Sequence, residues 1–245
     1  FQADFVVLDN LQDLNVTDVF YKGKLVDRNA PIRVKTCGRA LKHTVHLDKV
    51  KAEQFVLPIG KKKTHVIGIN PSQITTEDLA VSLQPAANYV PTDGYSKVAA
   101  VERHHNTGKI GVAVAKGYGI RNGAVASSVS HDSHNIIVIG DNDRDMALAV
   151  DEIIRTQGGY TVVENGEVFE TLPLPIMGLM SDAGFESVNE TLGRMIKKAH
   201  EMGVPADIEP FITLSFLALP VIPALRITPR GLCLLTAKGP EILQE

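Results

Sequence analysis

Residues 130–172 read SHDSHNIIVIGDNDRDMALAVDEIIRTQGGYTVVENGEVFETL, and three patterns in this stretch decide the fold. The first is Ile136, Ile137, Val138 and Ile139, an unbroken apolar run between Asn135 and Gly140. A strand with one wet face would alternate, so this run predicts a strand buried on both faces. The second follows at once: Met146, Ala149, Val150, Ile153 and Ile154 recur at helical spacing. Asp143 and Asp145 fall in the first turn of that helix, Arg155 in the last, and Gly158 is placed to take the left-handed stop. The third is Asn165-Gly166 between apolar segments, a hairpin with both turn residues at positive φ. A buried strand, a helix and a hairpin in succession predict a mixed α/β (α+β) domain with a mixed sheet and packed helices.

The flanking sequence extends this pattern. Strands are predicted at Gln54 to Leu57, at Thr64 to Ile69, in SKVAAVERHH (96–105), in GKIGVAVAKGYG (108–119) and in GLCLLTA (231–237). A second helix is predicted in SVNETLGRMIKKAHEMGVP (187–205), with Ser187 and Glu190 as a capping box and Gly203 with Pro205 as the stop. Its apolar stripe is Val188, Leu192, Met195, Ile196 and Ala199. FITLSFLALPVIPALRIT (211–228) is apolar but holds too many prolines for a single helix, and PIMGLMSD (175–182) is a proline-bounded apolar turn; both predict core or interface. At the amino end, DFVVLD and VTDVFYKGKLV (16–26) predict short strands, the latter pair turning at Lys22-Gly23. The chain opens on FQADFVVLDN (1–10), directly in an apolar strand and without methionine, which leads us to expect a piece of a longer polypeptide whose strand edges seek partners.

Composition narrows the classes. The chain has 245 residues, a formal charge of -3 and 44% hydrophobic residues. That balance lacks the basic face of a nucleic-acid binder. The basic run Lys61-Lys62-Lys63 reads as a solvated strand end. Two cysteines, Cys37 and Cys233, make neither a disulfide framework nor a zinc knuckle. No apolar run reaches the roughly 18–20 residues of a membrane helix, and the amino terminus lacks the form of a secretory signal. Expected, then, are a cytoplasmic setting, no nucleic-acid partner and no membrane partner.

Polar residues gather in two places. Ser130, His131, Asp132, Ser133, His134 and Asn135 precede the buried strand; Glu102, Arg103, His104 and His105 end another. The first cluster has three readings: part of a metal site, a recognition loop at a pocket mouth, or a hydrogen-bonded turn. A metal site needs three or four ligands, and His-x-x-His with one aspartate is a thin set. The second cluster reads as a pocket surface or as a satisfied ion pair with exposed histidines. Ser181 and Asp182 form a third candidate. The glycines of 111–123 do not follow the dinucleotide fingerprint, and no Gly-x-Ser-x-Gly elbow occurs. The residues thus predict recognition loops without a complete catalytic set.

ASSVSHDSHNIIVIGDND (126–143), ERHHNTGKIGVAVAKGYGIRNGA (102–124), PLPIMGLMSD (173–182) and TLSFLALPVIPALRIT (213–228) together resemble the carboxy-terminal domain of bacterial adenine deaminases. The opening strands resemble the closing strands of the small β-sandwich in the amidohydrolase superfamily. The resemblance implies residues 1–28 as sandwich strands and 29–245 as the carboxy-terminal α/β domain. It further implies hydrolysis of adenine to hypoxanthine and ammonia, in purine salvage, by a metal-bound hydroxide on a manganese or iron pair held in a catalytic barrel. The superfamily's ligands, a His-x-His after the first barrel strand and later histidines and acids, match no position here. So the resemblance implies no catalytic residue and no metal on this chain, inactivity of the fragment alone, and adenine bound through the barrel. It also implies a homo-oligomer. On it, the 130–135 loop shapes the adenine pocket, with Glu102, Arg103 and His104, then Ser181 and Asp182, as further lining. The competing reading is a non-catalytic binding or assembly module with no barrel partner.

Overall fold

The structure is a computed structural model that describes residues 1–30, 37–60, 62–92 and 94–243. The chain divides into two compact units, Phe1–Thr36 and Cys37–Glu245. In the first, β1 (Phe5–Leu8), β2 (Val16–Tyr21) and β3 (Lys24–Leu25) form an antiparallel sheet in that order. Lys22 and Gly23 turn the second hairpin at φ +52° and +73°, the primed geometry that matches strand twist. Phe5 pairs with Phe20, their rings stacked at 4.6 Å. Phe5, Val6, Val7, Val16, Tyr21 and Leu25 are all exposed, and because neighbouring strand residues point to opposite faces, both faces of this unit are apolar.

The second unit is built on an eight-stranded sheet. Its strands are β4 (Thr64–Ile69), β5 (Thr76–Val81), β6 (Tyr95–Val101), β7 (Ile110–Lys116), β8 (Gly123–Ser127), β9 (Ile136–Gly140), β10 (Gly159–Glu164) and β11 (Glu167–Pro173). They lie in the order β11-β10-β8-β9-β6-β7-β4-β5. Only the β4–β7 pairing is parallel, so the sheet is mixed as the patterns predict. Helix α1 (Asp143–Thr156) covers one face; α2 (Phe185–Glu201), α3 (Pro210–Leu217) and a small sheet of β12 (Leu225–Thr228), β13 (Gly231–Thr236) and β14 (Gly239–Ile242) cover the other.

β9 shows why the unbroken apolar run forms. Ile136 and Val138 pack toward Met146, Val150 and Ile153 of α1, while Ile137 and Ile139 pack toward Met195 of α2 and Leu214 of α3. All four strand side chains are fully buried, each removing apolar area worth about 1.5–3 kcal/mol. The α2 stripe seats Met195 and Ala199 in the core, with Val188, Leu192 and Ile196 packed at its margin. Among the described residues no helix is long and apolar enough to cross a membrane.

Several expectations are corrected. Gln54 to Leu57 is not a strand: residues 52–55 form a 3-10 turn, because Gln54 Oε1 accepts the Lys51 N–H at 2.8 Å and closes the backbone locally. Phe55 then drops, fully buried, into the α1 face of the core. Helix α2 begins at Phe185 after Gly184, so Ser187 lies inside it and caps nothing. The left-handed stop of α1 falls on Gln157 at φ +59°, where its N–H reaches back to Ile153 and Ile154, and Gly158 follows it. β5, β8, β12 and β14 were not foreseen. β8 is a short strand of small residues that lies fully buried near the centre of the sheet.

Candidate functional site

Strand pairing places the polar loops at one end of the sheet. Val101, at the end of β6, pairs with Ile136 at the start of β9 and with Ile110 at the start of β7. Ser127 pairs with Ile137 and with Tyr160, and Gly159 pairs with Pro173. Residues 102–109, 128–135 and 174–182 therefore leave the sheet together, and the topology rather than any one motif assembles the site.

The 130–135 loop is a tight turn. The His134 N–H donates to Ser130 O at 2.7 Å, with His134 itself in the left-handed region at φ +49°. The His131 N–H donates to Ser215 O at 2.9 Å, and the His131 ring lies 4.9 Å from the Phe216 ring of α3. The two histidine rings are 6.1 Å apart at 58°. Asp132 and Ser133 are exposed, whereas Ser130 is fully buried and Asn135 nearly so. His134 Nδ1, Ser130 Oγ and Ser215 Oγ are buried without a hydrogen-bond partner among the described residues. Such unpaired polar atoms are costly and are enriched at functional sites. Burial holds the His134 imidazolium below the usual histidine range, and His131 and Arg103 beside it act in the same direction.

Arg103 lies beneath the loop, 2% exposed. Its Nε donates to His134 O; Nη1 donates to Thr44 O at 3.1 Å and Thr44 Oγ1 at 3.4 Å; Nη2 donates to Met177 O at 3.0 Å. Its own N–H donates to Asn135 Oδ1 at 3.3 Å. Burial lowers the guanidinium to about 10, so it stays charged at neutral pH. His104 Nε2 sits 2.8 Å from Ser133 O and braces the loop from the other side.

Glu102 faces its own turn. Burial would raise its carboxyl, but hydrogen bonds from Thr107, His104 and His105 outweigh that and hold it low. Ser181 Oγ accepts the Ala183 N–H at 3.1 Å, and Asp182 pairs with Lys42 at the surface. The structure thus brings together Ser130, His131, Ser133, His134, Asn135, Arg103 and His104 through direct contacts. It joins Met177 to them through Arg103, and gives Ser181 and Asp182 separate local partners.

Thr44, Met177, Ser215 and Phe216 were not singled out by sequence. Met177 and Phe216 lie in the two apolar segments that read as core or interface. Elsewhere in this unit, Leu57, Pro58, Lys62, Lys63, His65 and Leu232 help line a cleft of about 840 Å³. Lys61 of the basic run lies outside the described residues. Among the described residues no three His, Cys, Asp or Glu side chains converge to hold a metal ion. His104 already meets a backbone carbonyl, and His131 Nδ1 is 3.6 Å from Asp132 Oδ1 with no third donor. The described side chains around the histidine pair therefore do not make the donor set of a metal pair.

Residues 73–238 match the family model of the adenine deaminase C-terminal domain. The adenine deaminase of Desulfitobacterium hafniense is 50% identical over 234 residues, covering 95% of this chain and 41% of that protein. That of Nitratidesulfovibrio vulgaris strain DP4 is 46% identical over 236 residues, 94% of this chain and 41% of the relative. Adenine deaminase 2 of Carboxydothermus hydrogenoformans is 40% identical over 238 residues, 95% and 42% respectively. The chain spans about two fifths of the length of these curated relatives, 41–42%. With a family model matched over most of its second unit, and relatives matched across both, the chain belongs to the adenine deaminase C-terminal domain family.

Proposed function

We propose that this chain is the accessory carboxy-terminal part of an adenine deaminase that hydrolyses adenine to hypoxanthine and ammonia. Its 130–135 loop closes the mouth of the adenine pocket, and the manganese or iron pair belongs to a catalytic barrel outside this chain. The match to proteins named adenine deaminase over 95% of the chain carries this reading. The loop adds chemical sense: side by side, an aromatic histidine pair and buried, unpaired hydrogen-bonding atoms suit a planar base with donors and acceptors on its rim. The chain by itself is inactive on this reading, and the complete protein is a cytoplasmic homo-oligomer serving purine salvage.

The test is made in the full-length enzyme. His131→Ala and His134→Ala are each expected to raise KM for adenine or lower kcat by about tenfold or more, with metal content unchanged. Wild-type turnover in both variants would sink the pocket role. Failure of the full-length protein to deaminate adenine would instead favour a binding or assembly module.

A further inference from the structure

We propose that Arg103 is the positioning residue of the 130–135 loop: its guanidinium, shared among the carbonyls of His134, Thr44 and Met177, fixes the histidine pair toward the pocket without touching substrate. The inference rests on the reading of that loop as a pocket wall and goes beyond it by naming what sets the loop's geometry.

A buried cation with no carboxylate beside it is an expensive way to fill a core, since its desolvation is not repaid by an opposite charge. Among the described residues the side-chain partners of the Arg103 guanidinium are carbonyls and a hydroxyl rather than a carboxylate, and burial lowers its pKa. What arginine offers here is a rigid planar fork, whose donors can satisfy carbonyls from separate segments at once. The three acceptors lie at 44, 134 and 177, and the Arg103 backbone N–H secures Asn135 as well. The loop is therefore held at its last two residues by one amino acid. The seat is built to fit: a Cβ on Gly178 would stand 2.8 Å from Arg103 Nη1, and Gly178 has φ +71°. Lysine, with a single ammonium, cannot span these acceptors in the same geometry.

Two measurements test this. The first uses Arg103→Met, the combined His131→Ala/His134→Ala variant and the triple variant in the full-length enzyme. Arg103→Met is expected to lose about 10- to 100-fold in kcat/KM for adenine, the scale of a misplaced active-site group. Because the loss runs through the histidine pair, the triple variant should fall no more than about threefold below His131→Ala/His134→Ala. Additive losses overturn the proposal. Arg103→Lys keeps the charge and should stay impaired; full rescue by lysine also overturns it, since charge and not the fork would then be the requirement.

The second measurement is amide hydrogen exchange in the same full-length enzyme. Arg103→Met should speed exchange at residues 131 and 134 by about tenfold or more while β9 amides keep their protection. Uniform acceleration means general destabilisation and overturns the proposal. If Arg103→Met does not fold, Gly178→Ala, which pushes a methyl against the guanidinium, is put through the same cycle and read the same way. Wild-type turnover in His131→Ala and His134→Ala would remove the pocket reading alone, because the exchange result stands without it.

Discussion

Arg103 and Arg226 play matching parts on the two sides of the histidine pair. Arg226 is fully buried and donates to Ile222 O at 2.8 Å, Phe216 O at 3.2 Å, Ile74 O at 2.7 Å and Pro223 O at 2.7 Å. It thereby secures the residue whose ring packs on His131, as Arg103 secures His134. The sequence made His131, His134 and Arg103 visible as polar residues beside strands, but it hid their linkage. Carbonyl acceptors belong to every residue type, so Thr44, Met177 and Phe216 carry no signature of the bonds they accept. His134 supplies a prediction at this scale. Its pKa lies below the ordinary 6.5, first because burial disfavours the cation, then because His131 and Arg103 repel it; His104 adds to this and Asp132 opposes it. The unfolded chain therefore takes up the proton first as pH falls. Stability is full above about 6.5 and is lost as pH drops through the window between that value and the lower folded pKa. His134→Asn keeps a residue that tolerates the left-handed conformation and removes the titration. The drop in urea midpoint from about pH 7.5 to about pH 5.5 should be smaller in the variant than in wild type. An equal drop counts against the assignment.

Elements were legible where local chemistry and burial agree. In the hairpin of β10 and β11, Asn165 and Gly166 adopt φ +51° and +81° and set the pairing of Glu164 with Glu167. The two-residue pattern alone dictates that geometry, whatever packs around it. The capping box of α2 failed for the opposite reason: Ser187 and Glu190 are a valid local signal, but the helix gains a further turn by starting at Phe185. β8 was missed because Ala124, Val125 and Ala126 are a short run with no alternation and little β-branching, whereas in a sheet centre small residues suit a strand flanked closely on both sides. The hairpin gives the prediction at this level. A Cβ at Gly166 would meet the Arg144 side chain only at ordinary contact distance, 3.5 Å, so the cost of Gly166→Ala is conformational. It should destabilise the fold by about 1–2 kcal/mol, the penalty of an L-residue in the left-handed region. Chemical denaturation with unchanged m-value checks this; a cost near zero would mean the turn relaxes to another form.

For the second unit as a whole, the question is whether the α1 layer and the α2–α3 layer form one cooperative body or two. β9 answers it structurally, because its consecutive residues alternate between the layers. Ile136 belongs to the cluster with Met146, Val150 and Ile153, and Ile137 to the cluster with Met195, Phe211 and Leu214, and both are fully buried. Neither layer can loosen without exposing one face of a strand that the other layer needs. The site depends on this arrangement, since the 130–135 loop runs directly into β9 and meets α3 through His131 and Phe216. Ile136→Ala and Ile137→Ala should therefore each cost about 2–5 kcal/mol, the range for cavities cut into a close-packed core. More tellingly, each should move the same single transition, followed both by far-ultraviolet circular dichroism and by a probe on α3 near Phe216. If Ile136→Ala lowered the circular-dichroism midpoint while the α3 probe kept its original transition, the layers would be uncoupled. The loop would then be anchored by the α2–α3 side alone.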